Sequence, residues 1–66
     1  MLIVIAPNGK DSRKLYNELC HTVTGKVGVT DIIKEIFVTL PSDATYDLDT
    51  VISICEEYGD IERDDA

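Results

Sequence analysis

Residues 47–59, Asp-Leu-Asp-Thr-Val-Ile-Ser-Ile-Cys-Glu-Glu-Tyr-Gly, constrain the fold more than any other stretch of the chain. Leu48, Val51, Ile52, Cys55 and Tyr58 recur at helical spacing and Ile54 widens the stripe they form, while Asp49, Ser53, Glu56, Glu57 and Asp60 gather on the opposite side. Asp47 is a good N-cap because its carboxylate can accept from free first-turn amides. Tyr46 and Val51 stand at the two positions of a hydrophobic staple. Gly59 suits the left-handed position that ends a helix. These signals agree on a helix over 47–58. One feature opposes helix physics: Glu56 and Glu57 occupy the last turn, where the helix dipole disfavours negative charge by about 0.3–1 kcal/mol each.

The rest of the chain must build something for that helix to cover. Met1-Leu-Ile-Val-Ile-Ala6 is a continuous apolar run rich in β-branched residues, which reads as a central strand buried on both faces. Pro7-Asn8-Gly9 stops it with turn chemistry. A two-residue hairpin at Asn8-Gly9 is rejected because Lys10-Asp-Ser-Arg-Lys14 makes a poor strand. A helix starting at Asp11 or Ser12 fits better, with Leu15, Tyr16, Leu19, Cys20 and Val23 as its apolar stripe. From Thr22 to Leu40 periodicity alone does not decide. A hairpin around Gly25 and a strand from Lys26 to Thr30 are both open, and Ile32, Ile33, Ile36, Phe37 and Leu40 also fit a helical stripe. Propensity favours a strand over Glu35–Leu40, stopped by Pro41.

The expected fold is α+β, a small two-layer sandwich in the order β-α-β-β-α. About three or four strands carry two helices packed on one face. If the first strand and the next are adjacent and parallel, the helix between them makes a right-handed crossover. Residues 1–61 read as a single domain and residues 62–66 as a frayed acidic tail. With 66 residues, such a chain buries only about 60% of the surface its unfolded form exposes. Hydrophobic residues make up 44%, too many for a disordered chain, so part of the apolar surface is expected to face a partner or a second copy.

The net charge of −7 is unevenly spread. Residues 1–34 carry five cations against three acids, a net of +2; residues 35–66 carry ten acids against Arg63, a net of −9. Direct nucleic-acid binding requires a basic surface that displaces counterions, which this chain lacks, and an anionic membrane surface repels it. The field favours a basic protein, above all one whose basic surface normally holds DNA or RNA.

Catalytic signals are weak. Cys20 and His21 are neighbours on a predicted helix and point about 100° apart, so they do not form a nucleophile–base pair. Cys20, His21 and Cys55 lack metal-ligand spacing. Asp43, Asp47 and Asp49 lack the alternation and central Gly of a calcium loop. Asn8-Gly9-Lys10, followed by Arg13 and Lys14, has too few glycines for a phosphate loop. The chain is therefore read as a non-enzyme, with no catalytic residue, metal or cofactor. Both cysteines are expected to be buried and reduced. No signal-peptide pattern or span of transmembrane length is present, so the expected location is cytoplasmic, in the host cytoplasm if the protein is viral.

The function expected is that of a small acidic protein-binding module of DNA-mimic type, an inhibitor presenting Asp47, Asp49, Glu56, Glu57, Asp60, Glu62, Asp64 and Asp65 to a basic, nucleic-acid-binding partner. Carboxylates one or two helical turns apart can match every second or third phosphate of a strand, given a rise of about 1.5 Å per residue and phosphates spaced about 3.4 Å along the axis of B-DNA. Such inhibitors suit a phage or mobile element acting on its host. The alternative is a structural or regulatory subunit, or a homodimer pairing through its sheet, in which the acidic surface serves only solubility.

Overall fold

The computed structural model describes residues 1–9 and 11–64. Its elements are β1 (Leu2–Pro7), α1 (Ser12–Thr22), β2 (Gly28–Ile32), β3 (Glu35–Thr39), α2 (Leu48–Glu56) and β4 (Gly59–Asp64). The four strands form one sheet in the order β2-β3-β1-β4, and every neighbouring pair is antiparallel. Both helices cover one face, giving the two-layer α+β sandwich.

Strand β1 is central, as its apolar run implies, but it is not buried on both faces: Ile3 and Ile5 are inaccessible, whereas Leu2 and Val4 are half-buried and Ala6 is exposed, because helices cover only one side of the sheet. It is not adjacent to β2, however, because β3 lies between them. Likewise β1 separates β3 from β4, so each helix crosses over one intervening strand. This is a doubled split-βαβ arrangement, the ferredoxin-like order of elements. The β2–β3 hairpin turns at Ile33 and Lys34, with Ile32 paired to Glu35 and Lys34 at a φ of 73°.

The core is built by strand alternation on one side and helical spacing on the other. Ile3 and Ile5 of β1 and Ile36 and Val38 of β3 point to the helices and are essentially inaccessible, as are Leu15 and Leu19 of α1 and Val51 and Cys55 of α2. Val23, Val27, Leu40 and Tyr58 complete one cluster, with Ile61 of β4 packed against it. The buried stripe of α1 is narrower than its sequence implied: Leu15, Leu19 and Val23 are buried, whereas Tyr16 and Cys20 are exposed. The cluster is already filled by the other residues of both layers, so it takes one stripe of α1 and leaves that flank in solvent. The expectation of a buried Cys20 is thereby overturned.

Two local expectations are also corrected, and one open alternative is decided. Residues 62–64, read as part of a frayed tail, belong to β4, where Leu2 pairs with Asp64 and Val4 with Glu62; residues 65 and 66 lie outside the described part. Gly59 does not cap α2 in a left-handed turn. It begins β4 opposite Pro7, at a φ of 149°. The carbonyls beyond α2 are met instead by Asn8, whose backbone N–H donates to Tyr58 O (3.0 Å) and whose Nδ2 donates to Glu57 O (3.1 Å). No hairpin forms around Gly25, since Thr24 exchanges two 2.8 Å backbone hydrogen bonds with Thr45, which ties the loop after α1 to the loop before α2.

Both thiols are free. Burial, with a smaller contribution from the Glu56 charge, pushes the Cys55 thiol up to about 11. At pH 8 roughly one molecule in a thousand then carries that thiolate. A thiol reagent applied to the native protein is expected to titrate Cys20 at once and Cys55 only on unfolding, for a total of two; two fast thiols, or none, would contradict this packing.

Candidate functional site

Of the eight acids singled out in the sequence, the seven among the described residues do not share one surface. Asp47 and Asp49 sit at the N-terminal end of α2, and Glu56 and Glu57 at its C-terminal end, about 12 Å away along a nine-residue helix. Asp47 occupies the N-cap in extended conformation but makes no side-chain bond to a first-turn amide. Its carboxylate accepts from the Thr50 hydroxyl instead, at 2.7 Å. Asp65 lies outside the described residues.

Asp60, Glu62 and Asp64 are brought together. In β4 the odd-numbered Gly59, Ile61 and Arg63 take the helix-side positions, so all three acids stand on the face of the sheet that no helix covers. Their spacing along the strand is about 6.8 Å, two residues at a time. Beside them, β1 presents Leu2, Val4 and Ala6 on the same face, and β3 presents Glu35, Phe37 and Thr39. The cross-strand register gives the rows Asp64–Leu2–Thr39 and Glu62–Val4–Phe37, with Asp60 beside Ala6. Leu2, Val4 and Phe37 are half-buried. Glu35, Asp60 and Glu62 line one shallow depression with Val4 and Ala6, about 240 Å³ in volume. No Lys or Arg occupies an open-face position in any of the four strands. Among the described residues no side-chain hydrogen bond or ion pair engages Glu35, Asp60 or Glu62.

Sequence reasoning missed Glu35 and the apolar Leu2, Val4 and Phe37 as members of this surface. The available signal was the period-2 pattern Asp60-Ile61-Glu62-Arg63-Asp64, with one apolar residue to anchor a strand. Asp and Glu have poor strand propensity, and that concealed it. Charged residues are nevertheless suited to an edge strand, where they discourage pairing with another chain.

A second cleft of about 490 Å³ lies between α1 and the turn after α2, lined by Asp11, Lys14, Glu18, Glu57 and Tyr58. Its geometry is structural. The Tyr58 hydroxyl donates to Glu18 Oε1 at 3.0 Å and fastens α1 to the end of α2. Asp11 caps α1 by accepting from the Arg13 amide at 2.9 Å, a bond that, ahead of the Arg13 charge, holds its carboxyl below the usual value. Burial first, then the hydrogen bond to Glu18 and the charges of Glu18, Glu57 and Asp11, push Tyr58 up to about 12 from an ordinary 10.0. Between pH 10 and 12 the unfolded chain releases this proton while the folded chain keeps it, so stability is lost as pH rises through that window. Wild type is therefore expected to lose stability more steeply than Tyr58→Phe in denaturant titrations from pH 10 to 12. Parallel profiles would show that Tyr58 is not held as described.

His21 is exposed at the end of α1, its Nδ1 2.7 Å from Asn17 O. Among the described residues no group of three or more His, Cys, Asp or Glu side chains is placed to hold a metal ion. No helix among them is long and apolar enough to cross a membrane. Comparison with protein-family models, with curated proteins and with solved structures found no match.

Proposed function

We propose that this protein is an acidic protein-binding module that engages the basic, nucleic-acid-binding surface of a partner protein and blocks it, using the open face of its sheet. The observation that carries this reading is the row Asp60, Glu62 and Asp64 on β4, with Glu35 across the same face and no cation among the open-face positions. The spacing of about 6.8 Å between alternate strand residues matches two axial steps of about 3.4 Å each on a B-DNA strand. A strand holds that spacing more rigidly than side chains fanned around a helix. The host-takeover setting and the role as inhibitor belong to this proposal, as does a cytoplasmic location. The acids at the two ends of α2 add to the long-range field and speed association.

Two charge-reversal pairs test it. Asp60→Lys with Glu62→Lys and Glu56→Lys with Glu57→Lys each change net charge by the same amount, so the global field is matched. The tagged wild type and both variants are used to recover proteins from a bacterial lysate at low and high salt. The recovered DNA- or RNA-binding protein is then tested for displacement of its nucleic acid. Wild type is expected to compete, the strand pair to lose more than tenfold in competition, and the helix-end pair to lose a few-fold through slower association. If the strand pair competes as well as wild type, the open face is not the binding surface.

A further inference from the structure

We infer that the element received by the open face is an amphipathic basic α-helix of the partner, laid lengthwise along β1 and β3; this rests on the reading of that face as the binding surface. Acidity alone does not account for the face. Its centre is apolar, formed by Leu2, Val4 and Phe37, all half-buried, with Ala6 beyond them. The acids form a row along one side of that strip, on the neighbouring strand β4. Protein surfaces that contact DNA are more polar and more positively charged than protein–protein interfaces, so only a basic nucleic-acid-binding element that also carries an apolar stripe matches both parts of this face. The face therefore calls for an occupant with an apolar stripe and a row of cations on one flank.

A helix supplies both, and the dimensions agree. Strand β1 has six residues, about 20 Å of length, which spans roughly 13 helical residues. A helix of about 10 Å diameter covers two strands at about 4.8 Å separation, so it fits over β1 and β3 and brings one flank to β4. Lys or Arg at i, i+4 and i+8 are about 6 Å apart along the axis and span about 12 Å. The three carboxylates of β4 span about 13.6 Å, and the long basic side chains take up the difference. Apolar residues on the adjoining stripe of such a helix, at j, j+3, j+4 and j+7 where j differs from the cationic positions, then meet Leu2, Val4 and Phe37, as in helix-in-groove recognition. A second copy of this chain is a poor occupant, because each carries a net charge of −7 and the acids of both would be drawn together.

The test uses two synthetic 18-residue peptides of identical Leu and Lys composition. One has leucines and lysines at amphipathic helical spacing; in the other they are scrambled so that no apolar stripe forms. Each is titrated into the isotopically labelled protein and followed by backbone amide shifts, at low salt and at high salt. The amphipathic peptide is expected to move the amides of Leu2–Ala6, Phe37 and Asp60–Asp64, to bind about tenfold more tightly than the scrambled one, and to retain measurable binding at high salt. Phe37→Ser is expected to remove that tenfold advantage without changing the scrambled peptide's affinity, and Val4→Thr takes its place if a melt shows Phe37→Ser to be unfolded. Equal binding of the two peptides at this face would overturn the helix while leaving an acidic binding surface standing. If neither peptide moves these amides, both readings fall. Self-association of the free protein through this face, seen by sedimentation, would overturn the helix in favour of a second copy.

Discussion

Gly59→Ala is expected to cost this protein a large part of its stability, about 2–6 kcal/mol. A Cβ at residue 59 would overlap the carbonyl oxygen and carbon of Ala6, and the φ of 149° is one that side chains rarely adopt. Neither problem can be relieved locally. Ala6 belongs to the central strand, and its neighbour Pro7 is paired with Gly59 itself. The backbone conformation costs about 1–3 kcal/mol and forced separation of the strands a similar amount. A chain of 66 residues has about 3–10 kcal/mol of stability in all. Circular dichroism and amide dispersion at 25 °C report the outcome directly. A variant melting within a few degrees of wild type would mean that β4 does not begin against Pro7.

Val51→Asp is expected to be comparably severe, and Asp49→Ala mild, although the two residues are neighbours on one short helix. Val51 is fully buried in the cluster that joins α2 to β1 and β3. An aspartate there either loses its solvation or is held neutral, on the order of 4 kcal/mol in either case. Asp49 is exposed in the first turn of α2, and its removal forfeits a favourable interaction with the helix dipole of about 0.3–1 kcal/mol. Paired thermal melts check the contrast. Equal losses would mean that α2 is rotated about its axis from the orientation described.

Most of the layer architecture was legible in the residues because local and global signals coincided there. The stripe Val51, Cys55 and Tyr58 is buried in the structure, and Ile3 and Ile5 are core residues of a central strand. The sheet order was not legible. Nothing in the composition of β1 or β2 says that β3 inserts between them, because pairing of strands distant in sequence is decided by the packing of the whole. Strand β4 was missed for a related reason. Its sequence Gly-Asp-Ile-Glu-Arg-Asp is a poor strand in isolation and is held in place by the ladder that β1 supplies and by burial of Ile61. The candidate site was half legible: the concentration of acid in the second half of the chain was visible, but its division between two helix ends and one sheet face depended on β4 existing. The apolar half of the face was hidden because Leu2 and Val4 read as core residues, inside a run that looked buried on both sides.

The pairing of Leu2 with Asp64 and of Pro7 with Gly59 also governs when the fold can form during synthesis. Within this sheet the strand earliest in sequence is the partner of the one latest in sequence. Until residues 59–64 have left the ribosome, one whole edge of β1 has its amides and carbonyls bare, and Ile61 is missing from beneath the helices. The β2–β3 hairpin and both helices are local in sequence, but helices of 11 and 9 residues are marginal alone, and the sheet closes only when β1 and β4 meet. A nascent chain stalled before Gly59 therefore presents an apolar, open-edged strand to its surroundings, and the same acid row that marks the finished surface is the last part of the sheet to be laid down.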